Sequence, residues 1–94
     1  MLFIIHCLDK PRTAEKRSAN MQAHKDYLAT DPITVVLSGP LTTDDGQTVI
    51  GSFFMVDATD RGEVEKFQRN DPLFTSDIWA SVDVRAFAKR IDNR

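Results

Sequence analysis

Two Asp-Pro dipeptides, Asp31-Pro32 and Asp71-Pro72, divide this chain more strictly than any other feature. A residue that precedes proline is pushed out of the α region, so a helix running into either pair must stop there. Upstream of the first pair, Arg12 to Thr30 holds no Gly or Pro and is dense in Ala, Lys, Glu, Gln and Met, which favour helix. Upstream of the second, Asp60 with Glu63 three residues on is a capping-box pattern, and Val64 and Phe67 supply an apolar helical face. Each helical stretch follows one short apolar run and precedes another. The chain is thus predicted to read strand, helix, stop, strand, twice over.

The strands follow from periodicity. Leu2 to Leu8 (LFIIHCL) is too short for a free-standing helix and rich in β-formers, and Asp9, Lys10 and Pro11 end it. Ile33 to Leu37 (ITVVL) is the second strand, with Ser38-Gly39-Pro40 expected to terminate it. Asp45-Gly46 marks a turn, and Thr48 to Asp57 (TVIGSFFMVD) returns as the third strand of a hairpin. Ile78 to Phe87 (IWASVDVRAF) alternates Ile78, Ala80, Val82 and Val84 against Trp79, Ser81, Asp83 and Arg85.

The order β-α-β-β-α-β defines an α+β class of ferredoxin-like topology, with two helices on one face of a four-stranded antiparallel sheet. One domain over residues 1–94 is expected. In the hairpin Val49, Gly51, Phe53 and Met55 point one way, and Ile50, Ser52, Phe54 and Val56 the other. Both sets are largely apolar, as are both sets of the first strand. A sheet apolar on both sides needs a second cover, so a homodimer joined through the helix-free face is expected.

Composition narrows the partners. A chain of 94 residues buries only about 60–65% of its unfolded surface, which makes further cover by a second copy valuable. The net charge of -2 and a pI near 5.5, with no long Lys/Arg block, argue against nucleic acid. Met1 to Leu8 is far too short to span a bilayer and has no basic leader, so no membrane partner is expected. Cys7 is the sole cysteine, which suits a reducing cytoplasm.

The first helix carries the chemistry-bearing anomaly. Ala14, Arg17, Met21, His24 and Leu28 recur at helical spacing, so Arg17 and His24 share the stripe expected to face the sheet. Either Arg17 snorkels to the rim and His24 is a hydrogen-bonded packing residue, or the two are a cationic anchor and a proton-transfer group in one pocket. Asp71, read as the C-terminal end of the second helix, would oppose the helix dipole there; a plain Asp-Pro turn also accounts for it. An ordinary strand exit accounts for Ser38-Gly39-Pro40, and a turn for Asp9. His6 and Cys7 are adjacent on a strand and point to opposite faces, so no metal site is expected.

Taken together, these residues resemble the YciI family along nearly the whole chain. The resemblance runs from the first strand ending in Asp9, through the Arg17–His24–Leu28 spacing and Ser38-Gly39-Pro40, to Gly51. It continues through Asp71-Pro72-Leu73-Phe74 and the closing Val84-Arg85-Ala86-Phe87. The family often has an aromatic near the position of His6 and a proline at that of Ala86. The resemblance implies a dimeric α+β barrel with His24 and Asp71 as a catalytic pair, and Arg17, Ser38, Gly39 and Asp9 in substrate binding. No cofactor is implied, and the expected activity is proton transfer or lyase-type chemistry on a small organic substrate. A non-catalytic ligand-binding or regulatory module is the alternative. An RNA-recognition motif shares the topology, but Ile50 stands where its basic residue belongs and Ser52 where an aromatic should stack.

Overall fold

The computed structural model describes residues 1–94. Strand β1 (Leu2–Asp9) leads into helix α1 (Ala14–Ala29), followed by β2 (Thr34–Thr42), β3 (Val49–Asp57), helix α2 (Arg61–Arg69), a single-turn helix α3 (Pro72–Thr75) and β4 (Trp79–Phe87). All neighbours in the sheet are antiparallel, in the order β2-β3-β1-β4. This is the ferredoxin-like arrangement, with the helices packed on one face. No helix is long and apolar enough to cross a membrane.

The core lies between sheet and helices. Phe3, Ile5 and Cys7 of β1 are paired with Val56, Phe54 and Ser52 of β3, and these side chains face α2 and α3, which supply Val64, Phe67 and Leu73. Helix α2 is started as its sequence requires: Asp60 accepts from the Glu63 amide at 2.9 Å. The Glu63 carboxylate reaches one residue further back than a capping box does, to the amide and hydroxyl of Thr59. The Asp45-Gly46 turn closes the hairpin, with Gly46 in the left-handed region at φ 74°.

Four expectations need correction. First, β2 does not stop at Leu37 but runs on through Ser38, Gly39 and Pro40, which pair with Phe54, Phe53 and Ser52. Proline has no amide proton to give a ladder, yet β2 is an edge strand with a neighbour on one side only, where that loss is tolerated. Second, Asp71 does not end α2, whose C-cap is Asn70. Asp71 is instead the N-cap of α3, accepting from the Leu73 amide at 2.9 Å with Pro72 in the first helical position. The dipole argument therefore reverses: its negative charge sits at a helix N-terminus, where it is favourable.

Third, Trp79 is in the core rather than on the opposite face to Val82 and Val84. Leu8 pairs with Ser81 and Asp9 with Trp79, so a bulge at Ala80 shifts the alternation by one. Fourth, the inner stripe of α1 is not led by its apolar members. Ala14 is exposed, Met21 and Leu28 are half-buried, and the one fully buried residue of the helix is Arg17.

Gly51 fixes how closely β3 approaches β1. A Cβ built there would run into the Cys7 carbonyl and stand 3.1 Å from the Leu41 side chain. Backbone cannot yield as a side-chain tip can, so Gly51→Ala is expected to cost about 1–3 kcal/mol by overpacking, read as a lower urea midpoint at unchanged m-value.

Candidate active site

The polar side chains that α1 turns toward the sheet are each caught by a partner. The Arg17 guanidinium grips Asp9 in a two-pronged pair, Nε to Oδ2 at 2.8 Å and Nη2 to Oδ1 at 2.9 Å, and Nη2 also donates to the Ser52 hydroxyl at 2.8 Å. Two turns on, the His24 ring meets Asp71, with Nδ1 at 2.9 Å from both carboxylate oxygens. One turn further, the Tyr27 hydroxyl donates to the Phe67 carbonyl at 2.9 Å. These bonds seat α1 on β1, β3, α2 and the start of α3.

Asp71 is 1% exposed, and the His24 side chain 12%. An ionised carboxylate only accepts, so the nitrogen facing it must carry the proton. In the neutral ring this leaves the Nε2 lone pair free. The ring is steadied further by an edge contact with Phe54, centroids 6.0 Å apart. Asp71 is itself fixed by the Leu73 amide, so its direction is set by backbone rather than by a flexible neighbour.

Above this pair lies a cavity of about 350 Å³ between α1 and the β2–β3 hairpin. Helix α1 lines it with Arg17, His24 and Lys25, besides the apolar Met21 and Leu28; the hairpin contributes Ser38, Gly39, Pro40, Val49, Ser52 and Phe54. Four of the six residues singled out in the sequence therefore border one space: His24, Arg17, Ser38 and Gly39. Asp71 stands behind His24. Asp9 does not border this cavity: it is held behind Arg17 and lines a separate shallow depression with Lys10 to Ala14 and Thr48 to Ile50. Arg17 is not a free cation awaiting an anion, since Asp9 already balances its charge.

Ser52 escaped the reading of the sequence. Its signal was present: it is the one polar member of the inward set Ile50, Ser52, Phe54 and Val56.

Cys7, directly below, is no nucleophile. Burial, then the nearby charges of Asp71 and Asp9, push its thiol up to about 12, with Arg17 offsetting part of this. The thiol stays protonated and inert at neutral pH. The Tyr27 phenol is also raised, by burial first and Asp71 second.

A four-stranded ferredoxin-like sheet, with a buried His–carboxylate pair beneath a partly apolar cavity, defines the class as small ferredoxin-like α+β proteins. Residues 1–88 match the model of the YCII-related domain, and the chain belongs to that family. Among solved structures it is similar to 5-chloro-2-hydroxyhydroquinone dehydrochlorinase (TftG) from Burkholderia phenoliruptrix AC1100 in complex with 2,5-dihydroxybenzoquinone. That likeness has 30% identity and a TM-score of 0.84, and covers 94% of each chain. Rv0793 from Mycobacterium tuberculosis, at 14% identity and a TM-score of 0.51, covers 99% of this chain and 97% of its own, a likeness of fold alone. No curated protein matches the chain.

The Cys7 thiol makes stability depend on alkaline pH with a definite sign. Its folded-state value near 12 lies above the ordinary 9.0, so above about pH 9 the unfolded chain releases a proton that the folded one keeps. The contribution is complete below pH 9 and is lost as pH rises toward 12, by at most about 1.4 kcal/mol per unit. Urea unfolding between pH 8 and 10.5 should show this decline, and Cys7→Ala should flatten it, leaving the same-signed slope of Tyr27.

Proposed function

We propose that this protein is a cofactor-independent enzyme that moves a proton on a small hydroxylated aromatic or enolisable substrate, with His24 as the base and Asp71 as its orienting partner. The observation that carries this reading is the His24–Asp71 geometry: Nδ1 is tied at 2.9 Å to both oxygens of a buried carboxylate, and the ring borders the cavity. A carboxylate on one ring nitrogen fixes the tautomer and raises the basicity of the other. The apolar part of the wall, from Met21, Leu28 and Phe54, suits a carbon ring.

The likeness to a dehydrochlorinase supports the substrate class. Loss of HCl from a chlorinated hydroxyhydroquinone moves one hydroxyl proton to the chlorine-bearing ring carbon, giving the keto tautomer. A second hydroxyl proton then goes to a base as the C–Cl electron pair leaves with chloride and the quinone forms. No external oxidant or reductant enters, and one well-placed base begins it. In this reading Arg17, through Nη1, and the Ser38-Gly39 segment hold the substrate. Asp9 acts one step back, by keeping Arg17 in place.

Two substitutions separate chemistry from packing. His24→Asn keeps an N–H that can face Asp71 but removes the base, so turnover should fall about 10²- to 10⁴-fold while the fold survives. Asp71→Asn still caps α3, yet its amide turned toward Nδ1 forces the proton onto Nε2. The same loss of rate is expected, with the tautomer exchange visible in ring ¹⁵N shifts. The assay is chloride release from 5-chloro-2-hydroxyhydroquinone, beside a panel of enolisable hydroxy-aromatics. Full activity in His24→Asn, or no turnover of any member by the wild type, overturns the proposal.

The same reading includes a homodimer and a cytoplasmic setting, the latter supported by the unpaired Cys7. On the helix-free face Leu8, Leu37 and Phe87 are 40%, 39% and 39% exposed, around half-buried Ile4, Phe53 and Met55. His6, Asp83 and Arg85 share this face, yet so much exposed apolar surface on one side of a sheet is unusual on a monomer. Light scattering should give twice the chain mass at micromolar concentration, Phe53→Asp should give a monomer, and the melting temperature should rise with protein concentration.

A further inference from the structure

Ser52 sits opposite Cys7 in the β1–β3 ladder, is 4% exposed, and borders the cavity. Its hydroxyl oxygen accepts from Arg17 Nη2 at 2.8 Å. A guanidinium has donors and no acceptor, so this contact uses a lone pair of Ser52 and leaves its O–H proton for something else. No group of the chain accepts that proton, and the cavity is the open side of the residue.

The rest of the polar lining has the same bias. Lys25 brings positive charge to the wall, the Asp9-paired Arg17 brings N–H donors and Ser38 a hydroxyl, whereas no carboxylate borders the space. Asp9 and Asp71 are turned to the far sides of Arg17 and His24. Among the lining side chains, the acceptor that carries no proton of its own is the His24 ring nitrogen that Asp71 leaves free. A wall of donors facing a single base matches a ligand that gives up a proton at one position and carries negative charge at another.

We infer that Ser52 is an oxyanion-binding residue. Its hydroxyl, polarised by Arg17, donates to an ionised ring or enolate oxygen of a small planar hydroxy-carbonyl compound. When a base removes a proton from such a compound, the charge spreads through the conjugated system to an oxygen further along. A donor already aimed there stabilises it without reorganising. The Arg17–Ser52 contact makes this aim permanent, because it prevents the hydroxyl from turning its proton toward the guanidinium. The inference rests on the proton-transfer reading of the cavity, but it is tested by binding rather than by turnover.

The experiment is calorimetric titration at pH 7 with 2,5-dihydroxybenzoquinone, which is ionised there, and with hydroquinone, which is neutral. The wild type should prefer the ionised ligand. Ser52→Ala should weaken that ligand about 10- to 100-fold, as loss of a hydrogen bond to a charged group does, and change hydroquinone binding less than about 2-fold. Ser52→Thr, which keeps the hydroxyl, should restore the preference. Should Ser52→Ala fail to fold, Ser52→Cys keeps the shape with a far weaker donor and is read the same way. Equal weakening of both ligands, unaltered binding in Ser52→Ala and Ser52→Cys, or no binding of 2,5-dihydroxybenzoquinone by the wild type each overturns it. Selective loss in a protein without turnover would sink the enzymatic reading and leave this one standing; turnover with an indifferent Ser52 would do the reverse.

Discussion

A single carboxylate, that of Asp71, joins parts of this fold that hydrophobic packing alone would leave loosely connected. It starts α3 through the Leu73 amide, and it holds α1 through the His24 ring. Burying a charge is costly unless it is fully hydrogen-bonded. Here the cost is met by a backbone amide and an imidazole, so neither partner can be lost cheaply. The relative position of these two packed helices is thereby fixed.

The reason such a bond is needed lies in α1 itself. Its inner stripe offers little apolar surface: Arg17 is buried, Met21 and Leu28 are half-buried, and Ala14 is exposed. The helix is seated by an ion pair to Asp9, a contact to Ser52, the His24–Asp71 bond and the Tyr27 hydroxyl. A buried guanidinium and a largely buried imidazole take the place of the Leu and Ile that a purely structural helix would use. Arg17 and His24, which seat the helix, therefore also border the cavity. Departures from a conventional core are where a functional site is most expected in a small domain.

Much of this was legible before any coordinates. The order of elements followed from two Asp-Pro stops and period-two apolar runs, and the Arg17–His24 stripe marked the right helix. Resemblance to the YciI family then paired His24 with Asp71, which spacing alone could not do across 47 residues. What escaped was set by tertiary context. Pro72 to Thr75 is too short for a helical period to register, so Asp71 read as an end rather than a beginning. Ser38-Gly39-Pro40 read as a stop because nothing local says that β2 lies at an edge. Trp79 was assigned to the wrong face because counting by twos fails across a bulge, which belongs to the pairing with β1 and not to β4 alone. Ser52 was passed over because one small polar residue in an apolar strand has no pattern of its own.

The bulge that turns Trp79 inward gives the molecule an internal optical reporter. Trp79 is the only tryptophan in the chain. Its ring packs edge-on against Phe54, centroids 6.4 Å apart, and Phe54 packs against His24 in turn. Its indole N–H is buried with no acceptor from the chain, so the emission should lie to the blue and respond to anything that alters this small aromatic cluster. The wall of the cavity at Phe54 thus stands only one ring away from the indole. The strand irregularity that disguised which way Trp79 points therefore sets the indole beside the aromatic wall of the cavity.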